Sequence, residues 1–396
     1  MIVIKKISSN WMLGISLVVV VSLMTLCFPK VNSDLSNKKI EAIPVSEDDF
    51  RSLKKDLFSE FYLLSENYIK NMSLDEKIGQ MLLVRYDESN KDDAINKYKV
   101  GGFVFYSDAF DGKTKDEVIK MISSLQDKTK TPLLTAVDEE GGSVVRVSSN
   151  SAIRSEKFKS PSELYKTGGL DLIKEDTIEK SKLLKDLGLN VNLAPVVDVS
   201  TNPDDYIYER TLKEDVSKVS LYSEAVVDAS KGTNVSYVLK HFPGYGSNSD
   251  THLGPSRDNR TLTELTNNSL PPFKSGIDAD AEAILVSHNI VEGIDKDNPA
   301  SLSSDVHYFL SDQLEFSGIT MTDDLSMSSL SGIPNKYEKA VLAGNDILIV
   351  SNYEDAFNEI KKAVRDGRIK EEKVDEVVKK IIAWKYYKGL MYNTQK

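Results

Sequence analysis

Cysteine is almost absent from this sequence: its 396 residues contain only one, Cys27. The chain after it therefore has neither the disulfide framework of a small secreted domain nor a thiol nucleophile. An excess of basic residues is also missing, since 50 Lys and Arg face 61 Asp and Glu and the net charge is −11. Because nucleic acids bind basic surfaces, the composition predicts no nucleic-acid partner and suits a neutral ligand.

Metal and phosphate motifs are missing as well. The four histidines show neither H-E-x-x-H nor H-x-H spacing, which argues against a zinc site. Gly244-Tyr-Gly246 is not followed by the Gly-Lys-Ser/Thr of a P-loop, which argues against a phosphate cradle. The sequence therefore predicts a protein that works without a metal or another cofactor.

Among the features that are present, a charge-free apolar run extends from Trp11 to Phe28, after Lys5 and Lys6. The run is short for a membrane-spanning helix and long for the core of a signal peptide. Lysines before it and the bulk of the chain after it follow the positive-inside rule. Since no A-x-A cleavage site is visible, we expect residues 1–28 to be an uncleaved signal-anchor and the protein to be extracytoplasmic.

Two alternatives for this segment stay open. It is either removed as a signal peptide, which would give a secreted protein, or processed to a lipid anchor on Cys27, against which Leu26 argues because a small residue is needed there. If the apolar run is retained, activity is expected to sediment with membranes and to resist a high-salt wash, because hydrophobic insertion is not screened by salt. A soluble form that begins near Asn32–Asp34 would contradict this prediction.

Residues 29–70 are expected to link this segment to a catalytic domain at 71–396. Val31–Asp48 is polar and predicts a spacer. Phe50–Ile69 has apolar residues at helical intervals and predicts a packing helix. Ser73-Leu-Asp-Glu76 is a capping-box pattern, which predicts the start of another short helix.

From there to the end, short apolar runs alternate with amphipathic stretches. The predicted strands are Met81–Val84, Gly102–Tyr106, Leu133–Val137, Val191–Leu193, Tyr237–Lys240, Ala283–Val286, Ile319–Met321 and Ile347–Val350. The predicted helices are Asp116–Gln126, Ile173–Leu187, Val216–Lys231, Asp305–Leu314, Asp355–Val364 and Lys373–Lys388. Eight strands with helices between them predict an α/β fold, a single (β/α)₈ barrel of the TIM type.

Polar residues collect just after these strands, at the face where such barrels place their active sites. They are Asp138, Arg146, Asp198, Arg210, Lys240, His241, Asp250, His252, His288, Asn289, Asp323 and Asp324. Because they follow five consecutive strands, they are expected to meet at one mouth and to hold a polyhydroxylated ligand.

Plainer interpretations apply to some of these residues. Asp198 and Asp324 could be N-caps of the helices that follow, as Asp often is after a strand. Gly141, Gly142, Gly244 and Gly246 could simply form turns. His307 lies on a predicted helix and is expected to be a surface or packing residue.

Asp250-Thr-His252 is more telling, because a carboxylate two residues from a histidine can fix the tautomer of the imidazole and raise its basicity. Asp323 lies at a strand end with no cation nearby in the sequence. Retaining glycoside hydrolysis needs a carboxylate nucleophile and a separate proton donor. Asp323 and His252 could fill these two roles.

At this point the sequence resembles glycoside hydrolase family three, specifically its bacterial β-N-acetylglucosaminidase branch. The segments that carry the resemblance are LDEKIGQMLL (74–83), GGFVFYSDA (101–109), VDEEGGSVVRV (137–147), NLAPVVDV (192–199), KHFPGYGSNSDTH (240–252), ILVSHNIV (284–291), NPASLSSDV (298–306) and ITMTDDLSM (319–327). They cover about residues 72–390. The KHFPG…D-T-H segment is the most specific, because other branches lack this loop and take their acid/base from a second domain.

The resemblance implies a role for each matching residue. Asp323 would be the nucleophile of a covalent glycosyl-enzyme, and His252 the general acid/base with Asp250 as its partner. The residues implied to hold the terminal sugar are Asp138, Arg146, Arg210, Lys240 and His241. The implied substrate is a small carbohydrate with a terminal β-linked GlcNAc, derived from peptidoglycan, and a monomer is expected.

The chain departs from the family pattern at three points. Tyr245 replaces a histidine that is common in the motif, the loop from Gly246 to Asp250 is one residue shorter than its commonest version, and Ser143 stands where Arg is frequent. These departures bear on substrate preference more than on the chemistry. A β-glucosidase or β-xylosidase of the same family, and a non-catalytic protein that binds wall sugars, are the alternatives.

Overall fold

Eight short parallel strands lie side by side in the computed structural model, which describes residues 56–394. The strands in chain order are β1 (Leu82–Arg85), β2 (Gly102–Phe105), β3 (Leu134–Val137), β4 (Val191–Asn192), β5 (Ser236–Phe242), β6 (Arg257–Asp258), β7 (Ala283–Val286), β8 (Ile290–Val291), β9 (Ile319–Thr322) and β10 (Leu348–Val350). All except β6 and β8 belong to the large sheet, in the order β10-β1-β2-β3-β4-β5-β7-β9. The strands β6 and β8 form a separate two-stranded sheet.

The large sheet curls until its two ends meet. The first strand, β1, pairs with the last, β10, with Leu82 opposite Leu348. The remaining seam between β9 and β10 is joined by a parallel bridge between Met321 and Ile347. The predicted TIM-type barrel is therefore confirmed. The strands β2, β3 and β5 are buried along their whole length. This burial explains why such strands appear in the sequence as continuous apolar runs.

Helices cover the outside of the barrel and follow most strands. They are α1 (Tyr62–Ile69), α2 (Leu74–Gln80), α3 (Lys91–Asn96), α4 (Lys115–Gln126), α5 (Pro161–Asp186), α6 (Val216–Ser230), α7 (Leu262–Asn268), α8 (Leu270–Asp278), α9 (Ser304–Tyr308), α10 (Lys336–Ala343), α11 (Tyr353–Arg365) and α12 (Glu371–Tyr387). The predicted capping box is present at the start of α2, where Ser73 and Glu76 exchange hydrogen bonds. Such boxes fix helix starts by pairing backbone N–H groups that have no partner inside the helix.

The amino ends of the strands are sealed by α12. The Lys385 ammonium is buried there and donates to Gln80 Oε1 at 2.7 Å and to the Pro132 carbonyl at 2.7 Å. Burial lowers the pKa of Lys385 to about 7. The buried carboxylate of Glu282 accepts from Trp384 Nε1 at 3.0 Å and from Lys388 Nζ at 2.8 Å. The last helix therefore closes the barrel end opposite the strand-end polar residues.

Several predicted elements differ from the structure. Residues 50–55 of the predicted helix Phe50–Ile69 lie outside the described residues, and in the rest of it Ser59–Phe61 is a 3₁₀ turn and α1 begins only at Tyr62. The predicted helix Ile173–Leu187 starts earlier, since α5 runs from Pro161 across a non-helical break at Gly169. The predicted helix Asp305–Leu314 is only α9, followed by a π-helical turn at Phe309–Gln313. The elements α3, α7, α8, α10, β6 and β8 were not predicted.

The predicted anchor, Trp11–Phe28, and the spacer Val31–Asp48 lie outside the described residues. The division into 1–28, 29–70 and 71–396 therefore stays a prediction. None of the helices in residues 56–394 is long and apolar enough to cross a membrane.

Candidate active site

A cavity of about 460 Å³ opens at the carboxyl ends of the barrel strands. Small-molecule sites in proteins typically have volumes of roughly 300–1,000 Å³. The predicted site residues that line it are Asp138, Arg146, Arg210, Lys240, His241, His252 and Asp323. Asp250 is not a lining residue, but it contacts one of them. The structure thus brings together the eight residues to which the family resemblance gave a role, whereas Asp198, His288 and Asn289 do not line the cavity.

Asp323 directly follows β9 at the inner end of this cavity. Its N–H donates to the Val286 carbonyl at 3.0 Å, which continues the ladder between β7 and β9, and its Oδ1 accepts the Asp324 N–H at 2.8 Å. Burial alone would raise the pKa of Asp323, but the imidazoles of His288 and His241 and the backbone N–H outweigh it. The pKa therefore lies below that of an ordinary carboxyl, and the group is a carboxylate at neutral pH.

The adjacent Asp324 has a different role. Its Oδ1 accepts from the Ser326 N–H at 2.8 Å and its Oδ2 from the Ser351 hydroxyl at 3.1 Å, so this carboxylate holds its own turn. His288 supports the same turn by donating from Nε2 to the Asp324 carbonyl at 3.0 Å. Burial lowers the pKa of His288, while the nearby Asp323 and Asp324 carboxylates act in the opposite direction.

The three consecutive acids after β3 have two different roles. The Glu139 carboxylate accepts the N–H groups of Arg146 and Val147, each at 2.8 Å, and so shapes the loop rather than the cavity. Asp138 and Glu140 point their carboxylates at cations in the cavity wall. Gly141 and Gly142 turn the chain here with positive φ, as the turn interpretation expected.

Lys240 and Arg210 are held in a network of buried charges. Lys240 Nζ lies 2.7 Å from Asp138 Oδ1 and 2.6 Å from Glu140 Oε1. The Arg210 guanidinium makes a two-pronged contact with Glu140, at 3.0 and 2.7 Å. Burial opposes ionisation of Glu140, but these two cations hold its pKa well below the usual range. The arrangement fixes donors and acceptors in advance, as recognition of sugar hydroxyls requires.

His241 is fixed by Asp198 and not left to rotate. Its Nδ1 lies 2.8 Å from Asp198 Oδ2, and its Nε2 lies 3.2 Å from Arg210 NH2. Because a guanidinium can only donate, Nε2 accepts and the proton sits on Nδ1, facing the carboxylate. Asp198 also accepts the Tyr245 N–H at 2.6 Å. The capping interpretation of Asp198 is therefore wrong, and Asp215 caps the next helix instead.

His252 and Asp250 form the expected pair at the rim. Asp250 Oδ1 accepts from the His252 N–H at 2.9 Å and lies 2.7 Å from His252 Nδ1. The carboxylate thereby holds a proton on Nδ1 and leaves Nε2 for a ligand. The His252 side chain is 57% exposed, so solvent reaches this nitrogen.

Other cavity residues were missed in the sequence. Tyr206 lines the mouth, and burial raises its pKa to about 12, with Arg210 opposing the rise and Asp250 adding to it. Arg85 and Tyr106 also line the cavity, with the Arg85 guanidinium 4.8 Å from the centre of the Tyr106 ring. Arg146 lies over the same ring at 5.5 Å. Among residues 56–394, no group of three or more His, Cys, Asp or Glu is placed to hold a metal.

A signal for some of these residues was available. Arg85 ends β1 and Tyr106 follows β2, so the strand-end rule that selected the other residues would have selected them too. The sequence alone could not show that Glu140, and not the adjacent Glu139, faces the cavity, because both residues are glutamates. Tyr206 lies in the long connection between β4 and α6, which has no periodic pattern.

Comparison with known proteins gives a consistent picture. Residues 73–384 match the model of the glycosyl hydrolase family 3 N terminal domain. The beta-hexosaminidase LpqI of Mycobacterium tuberculosis is 29% identical over 329 residues, which cover 78% of this chain and 82% of that protein. A beta-hexosaminidase of Xanthomonas campestris pv. campestris is 28% identical over 262 residues, covering 64% of this chain and 78% of that protein.

Solved structures show the same likeness. A family 3 β-N-acetylglucosaminidase from Paenibacillus sp. superposes with a TM-score of 0.75 at 26% identity, covering 81% of this chain and 63% of that one. The structure of M. tuberculosis LpqI superposes with a TM-score of 0.72 at 26% identity, covering 80% of this chain and 95% of that one.

Proposed function

Because the chain belongs to glycosyl hydrolase family 3 and is a glycoside hydrolase, we propose that it is an exo-acting, retaining β-N-acetylglucosaminidase. The proposed reaction removes terminal β-linked GlcNAc from peptidoglycan-derived sugars through a covalent glycosyl-enzyme on Asp323. The observation that carries the proposal is the placement of Asp323 and of the His252–Asp250 pair around one cavity.

Asp323 is the carboxylate best suited to attack a sugar. Within residues 56–394, it is not ion-paired with any Lys, Arg or His, whereas Asp138 and Glu140 are both bound to cations. Its depressed pKa keeps it ionised, and it is half-buried in the cavity wall, so a partial positive charge on a sugar ring would be stabilised beside it. An anion that carries no tight counter-ion remains nucleophilic.

The proton donor in this scheme is His252, as an imidazolium. Its Nε2–H passes to the glycosidic oxygen while an Asp323 oxygen bonds to the anomeric carbon and the leaving sugar departs. The Nδ1–H stays with Asp250, so the resulting neutral ring has a free lone pair on Nε2. That lone pair then takes a proton from water, which attacks the anomeric carbon and releases Asp323.

The other cavity residues would hold the terminal sugar. Asp138, Lys240, Arg210 and His241 present acceptors and donors whose directions are already fixed by their mutual contacts. Hydroxyl groups both donate and accept, so a wall of alternating charges suits them better than a wall of one sign. The names of the hexosaminidase relatives support an N-acetylated sugar.

Peptidoglycan as the source of the substrate rests on the predicted export of the chain. A protein anchored by Trp11–Phe28, or secreted after its removal, would meet the β-linked GlcNAc of the wall. We further propose that the enzyme acts there as a monomer.

The direct test is a comparison of aryl glycosides. Aryl β-GlcNAc is expected to be hydrolysed with a kcat/KM on the order of 10²-fold or more above that for aryl β-glucoside, because a buried polar group that binds the acetamide would lose its partner. The measurement is kcat/KM for both, followed by muropeptides, glycan strands and chito-oligosaccharides.

Two outcomes would contradict the proposal. Preference for the β-glucoside or a β-xyloside would indicate another specificity of the same family. Sugar binding without turnover of any of these compounds would indicate a non-catalytic protein.

A further inference from the structure

The loop that carries Asp250 and His252 has little buried surface. Of residues 246–255, all of which the structure describes, only Thr251 is buried, and it is fully buried. The neighbouring Leu253 is 85% exposed. Burial of apolar surface therefore contributes little to holding this loop in place, and Thr251 supplies its one buried side chain beside the more exposed contacts of Asn248 and Ser249.

Thr251 is attached to both sides of the cavity. Its hydroxyl is hydrogen-bonded to the hydroxyl of Tyr245, in the segment that also carries Lys240 and His241. Its carbonyl accepts the Ser329 N–H at 3.2 Å, in the loop that follows the nucleophile. One buried residue thus joins the proton-donor loop to the two segments that hold the sugar and attack it.

Tyr245, which accepts or donates this hydrogen bond, is itself buried and held by its neighbours. Tyr245 is 1% exposed, and its N–H donates to Asp198 Oδ1 at 2.6 Å. Its ring packs edge-on against His241, with 5.2 Å between ring centres. A phenol hydroxyl stands further from the backbone than an imidazole nitrogen, so Tyr245 reaches Thr251 better than the histidine common at this position in the motif would.

We infer that Thr251 is a positioning residue, which sets the place of His252 in the cavity that Asp323 also lines, through its contacts with Tyr245 and Ser329. Asp250 directly precedes Thr251 in the chain and His252 directly follows it. These two residues are hydrogen-bonded to each other, so the pair moves as a unit with Thr251. The inference rests on the proposed function, because it assigns His252 the proton transfer.

The test compares Thr251→Val, which keeps the shape but removes the hydroxyl, with Thr251→Ser, which keeps the hydroxyl. For Thr251→Val, kcat/KM for a GlcNAc disaccharide is expected to fall roughly tenfold, since a buried hydroxyl loses its partner. Formation of the glycosyl-enzyme from a dinitrophenyl glycoside should change much less, because that leaving group needs little protonation. Thr251→Ser should restore most of the disaccharide activity.

Tyr245→Phe removes the other hydroxyl of the pair and gives a second measurement. If the two hydroxyls contribute only through the hydrogen bond between them, the kcat/KM of the double variant should be no lower than that of the worse single variant. Ser247→Ala, an exposed change in the same loop, is the control and should behave as the wild type. Thermal unfolding of each variant separates a folding defect from a positioning defect.

A readout without substrate completes the test. Amide hydrogen exchange in residues 246–255 should be faster in Thr251→Val and Tyr245→Phe than in the wild type and Ser247→Ala. Unchanged exchange, additive losses or equal losses on both substrates would each overturn the inference. If the wild type hydrolyses no β-GlcNAc compound, the proposed function fails, while the exchange rates still decide whether Thr251 holds the loop.

Discussion

Replacement of Asp323 by asparagine is expected to lower turnover by about 10⁴–10⁶-fold, the range found for members of other catalytic units. The amide is nearly the same size as the carboxylate but cannot form the glycosyl ester, so the covalent route itself is lost. The fold should survive, because the backbone N–H of Asp323 still pairs with Val286 and the amide oxygen can still accept the Asp324 N–H. Steady-state kinetics and thermal unfolding measure the two effects separately.

Asp324→Asn is the matched control for this prediction. Its carboxylate holds a turn through Ser326 and Ser351, so its loss of activity should be much smaller. A 2-fluoro or 5-fluoro glycosyl donor should trap the intermediate, and peptide mapping should find the label on Asp323. A label on Asp324 or Asp198 would show that the nucleophile has been misassigned.

His252→Ala is expected to affect substrates according to their leaving groups. A sugar leaving group needs a proton, and general-acid help contributes about 10²–10⁴-fold, so hydrolysis of a GlcNAc disaccharide should fall by about that factor. A dinitrophenyl group leaves as a stable anion, so formation of the glycosyl-enzyme from its glycoside should fall much less. Steady-state rates for the disaccharide and burst kinetics for the aryl glycoside make this comparison.

Asp250→Ala should give a milder form of the same pattern. The carboxylate holds the Nδ1–H of His252 at 2.7 Å and does not touch the leaving oxygen. Equal losses on both substrates, with KM raised for each, would mean that His252 only binds sugar. Asp324 would then be the next carboxylate to test as a proton donor, whereas Glu139 is a poor candidate because loop N–H groups occupy its oxygens.

The barrel was predictable because its strands are buried on both faces and therefore appear in the sequence as separate apolar runs. The sequence analysis missed short elements that contain no apolar run of their own. The helix α8 begins Leu270-Pro-Pro, which looks like a break, and the strands β6 and β8 are only two residues long. The first part of α5 was missed because Gly169 breaks the helix with a positive φ, and the predicted helix began only after it, at Ile173.

The site was predictable to the extent that position along the chain determines position in space. The end of a barrel strand always faces the same mouth, which located Asp138, Lys240 and Asp323. What the sequence could not show is which acid each cation binds. Glu140 became visible as the partner of Lys240 and Arg210 only when distances were known, because its neighbour Glu139 carries the same charge and turns the other way.

The barrel can close only after its last strand, β10, and the helix α12 that covers its amino end have been synthesised. Lys385 and its acceptor Gln80 are separated by 305 residues, and β1 must likewise wait for β10. At synthesis rates of roughly 5–20 residues per second, Leu82 of β1 is made about 13–53 s before its partner Leu348 of β10. During that interval one edge of β1 has no strand to pair with, and exposed edges invite pairing with other chains. The edge of β1 is therefore the part of a newborn chain of this fold that stays open to wrong pairing until β10 has been made.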